Sequence, residues 1–424
     1  MFHIRAIAVT KPLNIVVIGA GICGLSSAIW LRRAGHNVTL LDKDGPGAGA
    51  SYGNAGLLAQ WGLVPINTPG FGRTGLKYLL DPNQPLFMQW AHFPRLLPWL
   101  LKLLSHANHD GVRHMSANLH TLLNDSLTQH QALTQGTSAA QWIAPSDFAY
   151  AYANRAAFDA DSYSWAIKAD AGYTPELIEG PAVQEAEPMA GPNINCLALI
   201  KGHGHILNPG AYMQALADVL VEEGGTYKQA TVRDFTLTQD RITSVETDQG
   251  TLPCDTAVLA AGIWSKELMK KLGLKIPLEV ERGHHLQFVN PSQNLRIPLM
   301  IGKFKFAATP MATGLRCAGT VELGGLDKTP SKAPLAILRK GTKWAFPDLH
   351  YDDVEEWVGF RPSTPDSLPL VGEIGSTSVF AAFGHQHIGL TAGPKTGRWV
   401  ADLISGKRPN TDLAAFDANR FGPK

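Results

Sequence analysis

Cysteine is scarce in this chain of 424 residues: Cys23, Cys196, Cys254 and Cys317 stand far apart, with no Cys-x-x-Cys pair. That spacing argues against a disulfide framework and against a metal centre, so no metal is expected, and the thiols read as reduced core residues of a cytoplasmic protein. Long apolar runs are missing too. Nothing approaches the roughly 18 uninterrupted apolar residues that span a bilayer, and residues 1–12 lack the apolar core of a signal peptide. Excess charge of either sign is absent: 37 Lys and Arg against 36 Asp and Glu give no reason to expect a nucleic-acid partner. What the chain does have is length beyond the usual single domain and 45% hydrophobic content, which predict a large core shared by two domains.

The densest local signal lies near the start. The β-branched run at residues 14–18 leads straight into Gly19-Ala20-Gly21-Ile22-Cys23-Gly24, and a second apolar run, residues 37–41, ends at Asp42. This predicts a buried parallel strand, a tight turn and a helix that stops at Ala34-Gly35. Gly19 permits the turn, Gly21 lets backbone approach a pyrophosphate, and Gly24 lets the helix pack on the sheet. The helix N-terminus offers N–H groups to phosphates. Asp42, about 20 residues past the glycines, is placed to accept hydrogen bonds from a ribose. A dinucleotide site is expected here. The glycine-rich loop at residues 45–56 reads either as close backbone approach to a flat or phosphorylated ligand or as a surface linker.

Further along, residues 65–200 turn richer in Pro, Trp, Leu and His, with helical periodicity. Phe93, Leu96, Leu97, Leu100, Leu101 and Leu104 recur at helical spacing, with Arg95 and Lys102 off that face and Pro98 inside the pattern. A helix buried against the core is the preferred reading, and a helix lying on a membrane surface is the alternative. Residues 209–225 predict a helix, residues 230–247 a hairpin around Gln239-Asp240-Arg241, and residues 256–262 another buried strand. The fold class expected is α/β: a Rossmann-type domain from separated segments (13–64, 203–277 and 355–424) interleaved with a mixed α+β substrate domain (65–202 and 278–354). In the tail, a strand enters a glycine-lined turn before an amphipathic helix, with Pro394 read as part of its first turn. Its dipole could stabilise negative charge on a reduced cofactor. Arg361, between Phe360 and Pro362, reads equally as a bidentate carboxylate clamp or as a surface salt bridge.

Taken in order, the first fingerprint, residues 51–56, 204–209, 259–265, 281–285 and 359–362 and the tail from Gly384 to Gly397 carry a family resemblance. The chain resembles the D-amino-acid oxidase/dehydrogenase superfamily of FAD-dependent oxidoreductases over residues 14–421, nearest its bacterial D-amino-acid dehydrogenase branch. The resemblance implies that Gly19, Ala20, Gly21, Ile22, Cys23 and Gly24 hold the pyrophosphate, with Asp42 and Lys43 at the adenosine end. It places Ser51, Asn54, Ala55, Gly56 and Leu57 under the pyrophosphate and flavin ring, and Val232 against adenine. Ala260, Ala261, Gly262 and Trp264 form a third contact, and Gly384, His385, Gly389, Leu390 and Thr391 lie beside the flavin pyrimidine. It also implies that Arg361 pairs with the substrate carboxylate. Relatives that tether flavin covalently use a histidine or cysteine at positions roughly equivalent to Gly53 and Gly359, so noncovalent FAD is expected. His387 is a candidate substrate contact, and of His284 and His285 one, with His285 preferred, is expected to face the active site.

The activity so implied is oxidation of a free amino acid, D by preference, to a 2-oxo acid and ammonia. Hydride would pass from the α-carbon to flavin N5, and the electrons onward to a quinone or another acceptor. Alternatives are an enzyme for N-substituted or cyclic amino acids such as sarcosine, glycine, proline or hydroxyproline, and a flavoprotein without turnover. A peripheral contact with the inner face of the membrane stays open, as do side chain, stereochemistry, acceptor and oligomeric state.

Overall fold

Each residue of the first strand, Asn14–Ile18, is aliphatic after the leading asparagine, because the strand is covered on both faces. Ile15 and Val17 pack beneath helices, whereas Val16 and Ile18 pack on the opposite side toward Ile242, Val245 and Leu268. A run of this kind suits the middle of a parallel sheet. The computed structural model describes residues 11–81, 84–326, 329 and 331–422; most of the stretch 1–12 read above as lacking a signal-peptide core lies outside them. In it Asn14–Ile18 pairs in parallel with Asn37–Asp42 on one side and Thr256–Leu259 on the other. Thr226–Gln229 and Val379–Phe383 extend the sheet outward, and Leu370–Glu373 closes one edge in antiparallel fashion.

Against one face lies the helix Ile22–Arg33, which ends at Ala34 before Gly35 in the left-handed region. The helix Gly389–Ile404 crosses it at Gly397, where a Cβ would come within 2.6 Å of Ser26 carbonyl carbon. Pro394 lies six residues into that helix, not in its first turn. It has no N–H to give the Leu390 carbonyl one turn earlier, and the buried His130 Nε2–H donates to that oxygen instead at 2.9 Å. The helix therefore starts over a turn sooner than the proline alone suggests, bringing Gly389 and Leu390 to the sheet edge.

A second, nine-stranded sheet faces the first, running in the order Asp353–Ser363, Glu279–Val289, Gly314–Leu323, Phe306–Met311, Leu299–Ile301, Ile143–Tyr152, Cys196–Ile206 and Glu176–Glu179, with Leu86–Met88 paired to Gly314–Leu323. The expected boundaries at 203 and 355 fall inside Cys196–Ile206 and Asp353–Ser363, and both strands belong whole to this sheet. The hairpin Val232–Thr238 and Arg241–Thr247 turns through Gln239 and Asp240, both with positive φ, and gains a third strand, Gly250–Pro253.

The helix Phe93–Ser105 buries a different stripe from the one its leucines outline. Leu96, Trp99 and Leu103 face inward, with Trp99 Nε1 donating to the Ser363 carbonyl at 3.1 Å, while Leu97, Leu101 and Leu104 are exposed. With Trp99 able to supply the buried anchor, the leucine spacing does not decide the inward face. All four cysteines are buried and unpaired.

Candidate active site

Between the two sheets lies a cavity of about 1200 Å³ into which the separated motifs converge. Its floor at one end is the first turn. Gly19 has φ +106°, and a Cβ there would sit 2.5 Å from the Ala260 carbonyl oxygen; one on Gly24 would collide with the Gly19 carbonyl. Gly21, the N-cap residue, has no side chain to cap the helix, and Ser51 Oγ from the following loop accepts from the Ile22 N–H at 3.0 Å. Asp42 accepts from the Ala20, Asp44 and Gly45 N–H groups while still lining the cavity, so its carboxylate fixes both turns around the place where it would meet a ribose. Lys43 lies 4.5 Å over the Trp264 ring and pairs with Asp44, and Val232 lines the same end.

At the other end the loop 51–57 is held from behind. Arg316 Nη1 donates to the Tyr52 and Asn54 carbonyls at 3.0 and 3.1 Å, and its Nε donates to Gln287 Oε1. Burial lowers its pKa to about 10, so it stays charged at neutral pH. The Trp357 indole occupies the space beside Gly53 and Gly359, where any Cβ would strike it. Opposite, Thr391 Oγ1 donates to the Leu57 carbonyl, tying the start of the last helix to this loop.

Arg361 reaches the cavity because its partner strand carries Gly283, where a Cβ would collide with the guanidinium. Its Nη1 donates to the Thr320 carbonyl at 3.0 Å, and among the described residues no carboxylate pairs with it. Burial lowers its pKa, and the charge of Glu281, its register partner, opposes that shift. Glu281 accepts from Ser363 Oγ at 2.6 Å, leaves Oε2 without a partner, and has its pKa raised by burial.

Of the residues expected from sequence, all the cofactor candidates except Ala20 and Gly24 line the cavity; those two sit behind it and hold the turn. His387 opens onto it, its pKa lowered to about 4 by the enclosing walls and then by Arg361, which leaves a neutral ring at neutral pH. The expectation that His284 or His285 faces the active site is corrected. His285 is buried against Trp357, with Nδ1 hydrogen-bonded to the Gly53 carbonyl at 2.9 Å, and His284 points to Thr320 and Glu322; neither lines the cavity. The loop crossing above them covers that part of the strand. His385 lines the cavity beside Cys23 and Thr396, with its pKa lowered to about 3 by burial, while burial pushes the Cys23 thiol up to about 12. Glu281, Thr320, Arg316 and Lys168 were not singled out for these positions. The signal for Lys168 was a lone cation three residues after Trp165, on the apolar face of a short helix.

The glycine cradle, the helix N-terminus and the small-residue loop fit a flavin dinucleotide: a long, flat group with a charged middle needs close backbone and donors there. Residues 14–403 match the family model described as DAO, FAD dependent oxidoreductase. The sequence is 36% identical over 416 residues to a D-amino-acid oxidase of Bradyrhizobium diazoefficiens, covering 96% of this chain and 99% of that one. It is 26% identical over 421 residues to a D-amino acid dehydrogenase of Rhizobium rhizogenes, covering 97% and 100%. The fold is similar to glycine oxidase from Geobacillus kaustophilus, with a TM-score of 0.72 at 21% identity over 97% and 99% of the two chains. L-proline dehydrogenase from P. horikoshii aligns with a TM-score of 0.70 at 19% identity, over 97% and 98%.

Proposed function

We propose that this chain, which belongs to the DAO family of FAD-dependent oxidoreductases, oxidises a free D-amino acid to its 2-oxo acid and ammonia. The carrying observation is Arg361: a half-buried guanidinium facing the cavity, tethered by one N–H and with the others available for a planar carboxylate. The glycine cradle and the loop 51–57 would hold FAD, which would supply a two-electron oxidant for the α-carbon, and water would then hydrolyse the imino acid to the 2-oxo acid and ammonia. The protein's part is orientation. Arg361 fixes the carboxylate, Glu281 balances its charge, and neutral His387 can accept a hydrogen bond from the substrate amine. Gly53 and Gly359 offer no side chain to the flavin, so binding is noncovalent, and acid precipitation should release all of it into the supernatant.

Electrons leave to a membrane quinone in the reading we prefer. Its support is an apolar surface beside the cavity: Trp90 and Leu104 line the cavity and, with Leu97 and Leu101, are exposed beside Arg95 and Lys102. A basic apolar face of this kind suits an anionic bilayer surface; among the described residues no helix is long and apolar enough to cross one. The oxidase reading draws on the name of the 36% identical relative. D-amino-acid turnover with quinone-loaded anionic vesicles should proceed, with protein sedimenting with them and little oxygen consumed. Hydrogen peroxide formed in step with turnover, and no binding to vesicles, would establish the oxidase instead.

A further inference from the structure

Besides the half-buried Arg361, the cavity contains a fully buried cation. Lys168 lies on the helix Ser162–Asp170, is 2% exposed, and lines the cavity. Its ammonium rests 4.1 Å over the Tyr150 ring and 4.2 Å over the Trp165 ring. Among the described residues no acceptor lies within hydrogen-bond or ion-pair distance of it. The nearest acid, Asp161, is already occupied, accepting from Tyr152 Oη and Ser164 Oγ at 2.8 Å each. A buried ammonium held only by ring faces has lost its water without gaining an anion, so it favours any carboxylate that reaches it.

The floor between the two cations is clear. Register across the larger sheet runs His285, Ala318, Ala307, Met300, Tyr150, and residues directly opposite share a face. Ala318, Ala307 and Met300 line the cavity, as do Gly319 and Gly302, so small side chains dominate the stretch from Thr320, where Arg361 is anchored, to Tyr150, where Lys168 rests. Three strand intervals separate those two strands, roughly 14 Å, and both cationic side chains project into that span. A dicarboxylic amino acid fits between them, one carboxylate at each end. Lys305, in a left-handed turn on the cavity wall, adds positive charge at the far end.

We propose that Lys168 forms the subsite for a terminal carboxylate on the substrate side chain, so that this chain selects acidic amino acids; this rests on the reading of Arg361 as the α-carboxylate clamp. Burial, partly offset by Asp161 and reinforced by Lys305, lowers the Lys168 pKa to about 8. The groups facing it are Asp161 and Trp165 on its own side and Tyr150, Tyr152 and Lys305 across the sheet. Lys168 loses its charge as pH rises through about 8, so the KM for an acidic substrate should climb above that pH while the KM for an uncharged one does not follow.

The test is kcat/KM, with an artificial electron acceptor, for D-aspartate and D-glutamate against their neutral isosteres D-asparagine and D-glutamine. At least one acid should exceed its isostere by about tenfold or more. Lys168→Met should collapse that ratio, and Lys168→Arg should restore part of it. Equal turnover of acid and amide, or a Lys168→Met variant that lowers both alike, overturns the subsite while leaving the Arg361 reading intact. Should Lys168→Met not fold, the pH dependence of wild-type KM decides alone. Should no D-amino acid reduce the flavin, the parent reading fails. Glutarate against butyrate, followed by the flavin spectral shift, then tests the subsite: tighter glutarate binding that weakens above pH 8 supports it, and equal binding removes it.

Discussion

Arg361 owes its place to the residue across from it. Gly283 leaves the strand surface bare, and the guanidinium lies in the gap with Thr320 as its anchor. Loss of a charge-assisted bidentate bond weakens substrate by a few kcal/mol, so Arg361→Ala should raise KM by about 10- to 100-fold, with Arg361→Lys in between. Steady-state kinetics on one good substrate check this, and an unchanged KM would remove Arg361 from the site. The arginine stood out in the sequence between Phe360 and Pro362, but composition left it even with a surface salt bridge. What decides between the two is the glycine on another strand, 78 positions earlier, which no local pattern connects to it. His285 shows the converse: the motif is visible, but the loop that covers it is brought there by Arg316 from a third strand.

Among the elements, those whose cause is local were readable. The first strand, turn and helix follow from residues within one short stretch, and so does the stop at Gly35. The last helix was not readable at its start, because the group that satisfies its free carbonyl is His130, more than 250 residues away. His130 also accepts from the Tyr212 hydroxyl at 2.8 Å, so its two ring nitrogens join three helices. His130→Ala should cost about 2–3 kcal/mol through the orphaned carbonyl and the cavity left behind. Pro394→Ala restores an N–H to the Leu390 carbonyl, so the double variant should lose less stability than the two single losses added together. Urea unfolding of the four proteins measures this; strict additivity would mean that the histidine does not serve the proline's gap.

Over the whole molecule, buried neutral histidines set the acid limit. His130, His203, His205 and His284 have pKa values lowered to about 4, and His285 and His385 to about 3, all chiefly by burial. Lowered values mean that the unfolded chain takes up protons first, so their contribution is intact above about pH 6.5 and is lost as pH falls toward 4. Each such group removes up to about 2 kcal/mol by pH 5. The melting temperature should therefore fall steeply between pH 7 and 5, with recovery on returning to pH 7 before aggregation. A flat profile over that range would show these rings solvated. At this scale the alternation of motifs led to an expectation of two interleaved domains but not to a strand order, since sheet neighbours such as Thr256–Leu259 and Val379–Phe383 lie over a hundred residues apart. The cavity between the sheets is likewise a product of that order. The most direct measurement of what it does is an anaerobic titration of the purified yellow protein with matched D- and L-amino acids, following the visible flavin absorbance. Stoichiometric bleaching by D-amino acids, with the 2-oxo acid and ammonia formed in equal amounts, is the result expected. A flavin bleached only by sarcosine, proline or L-amino acids, or by none of the panel, would contradict it.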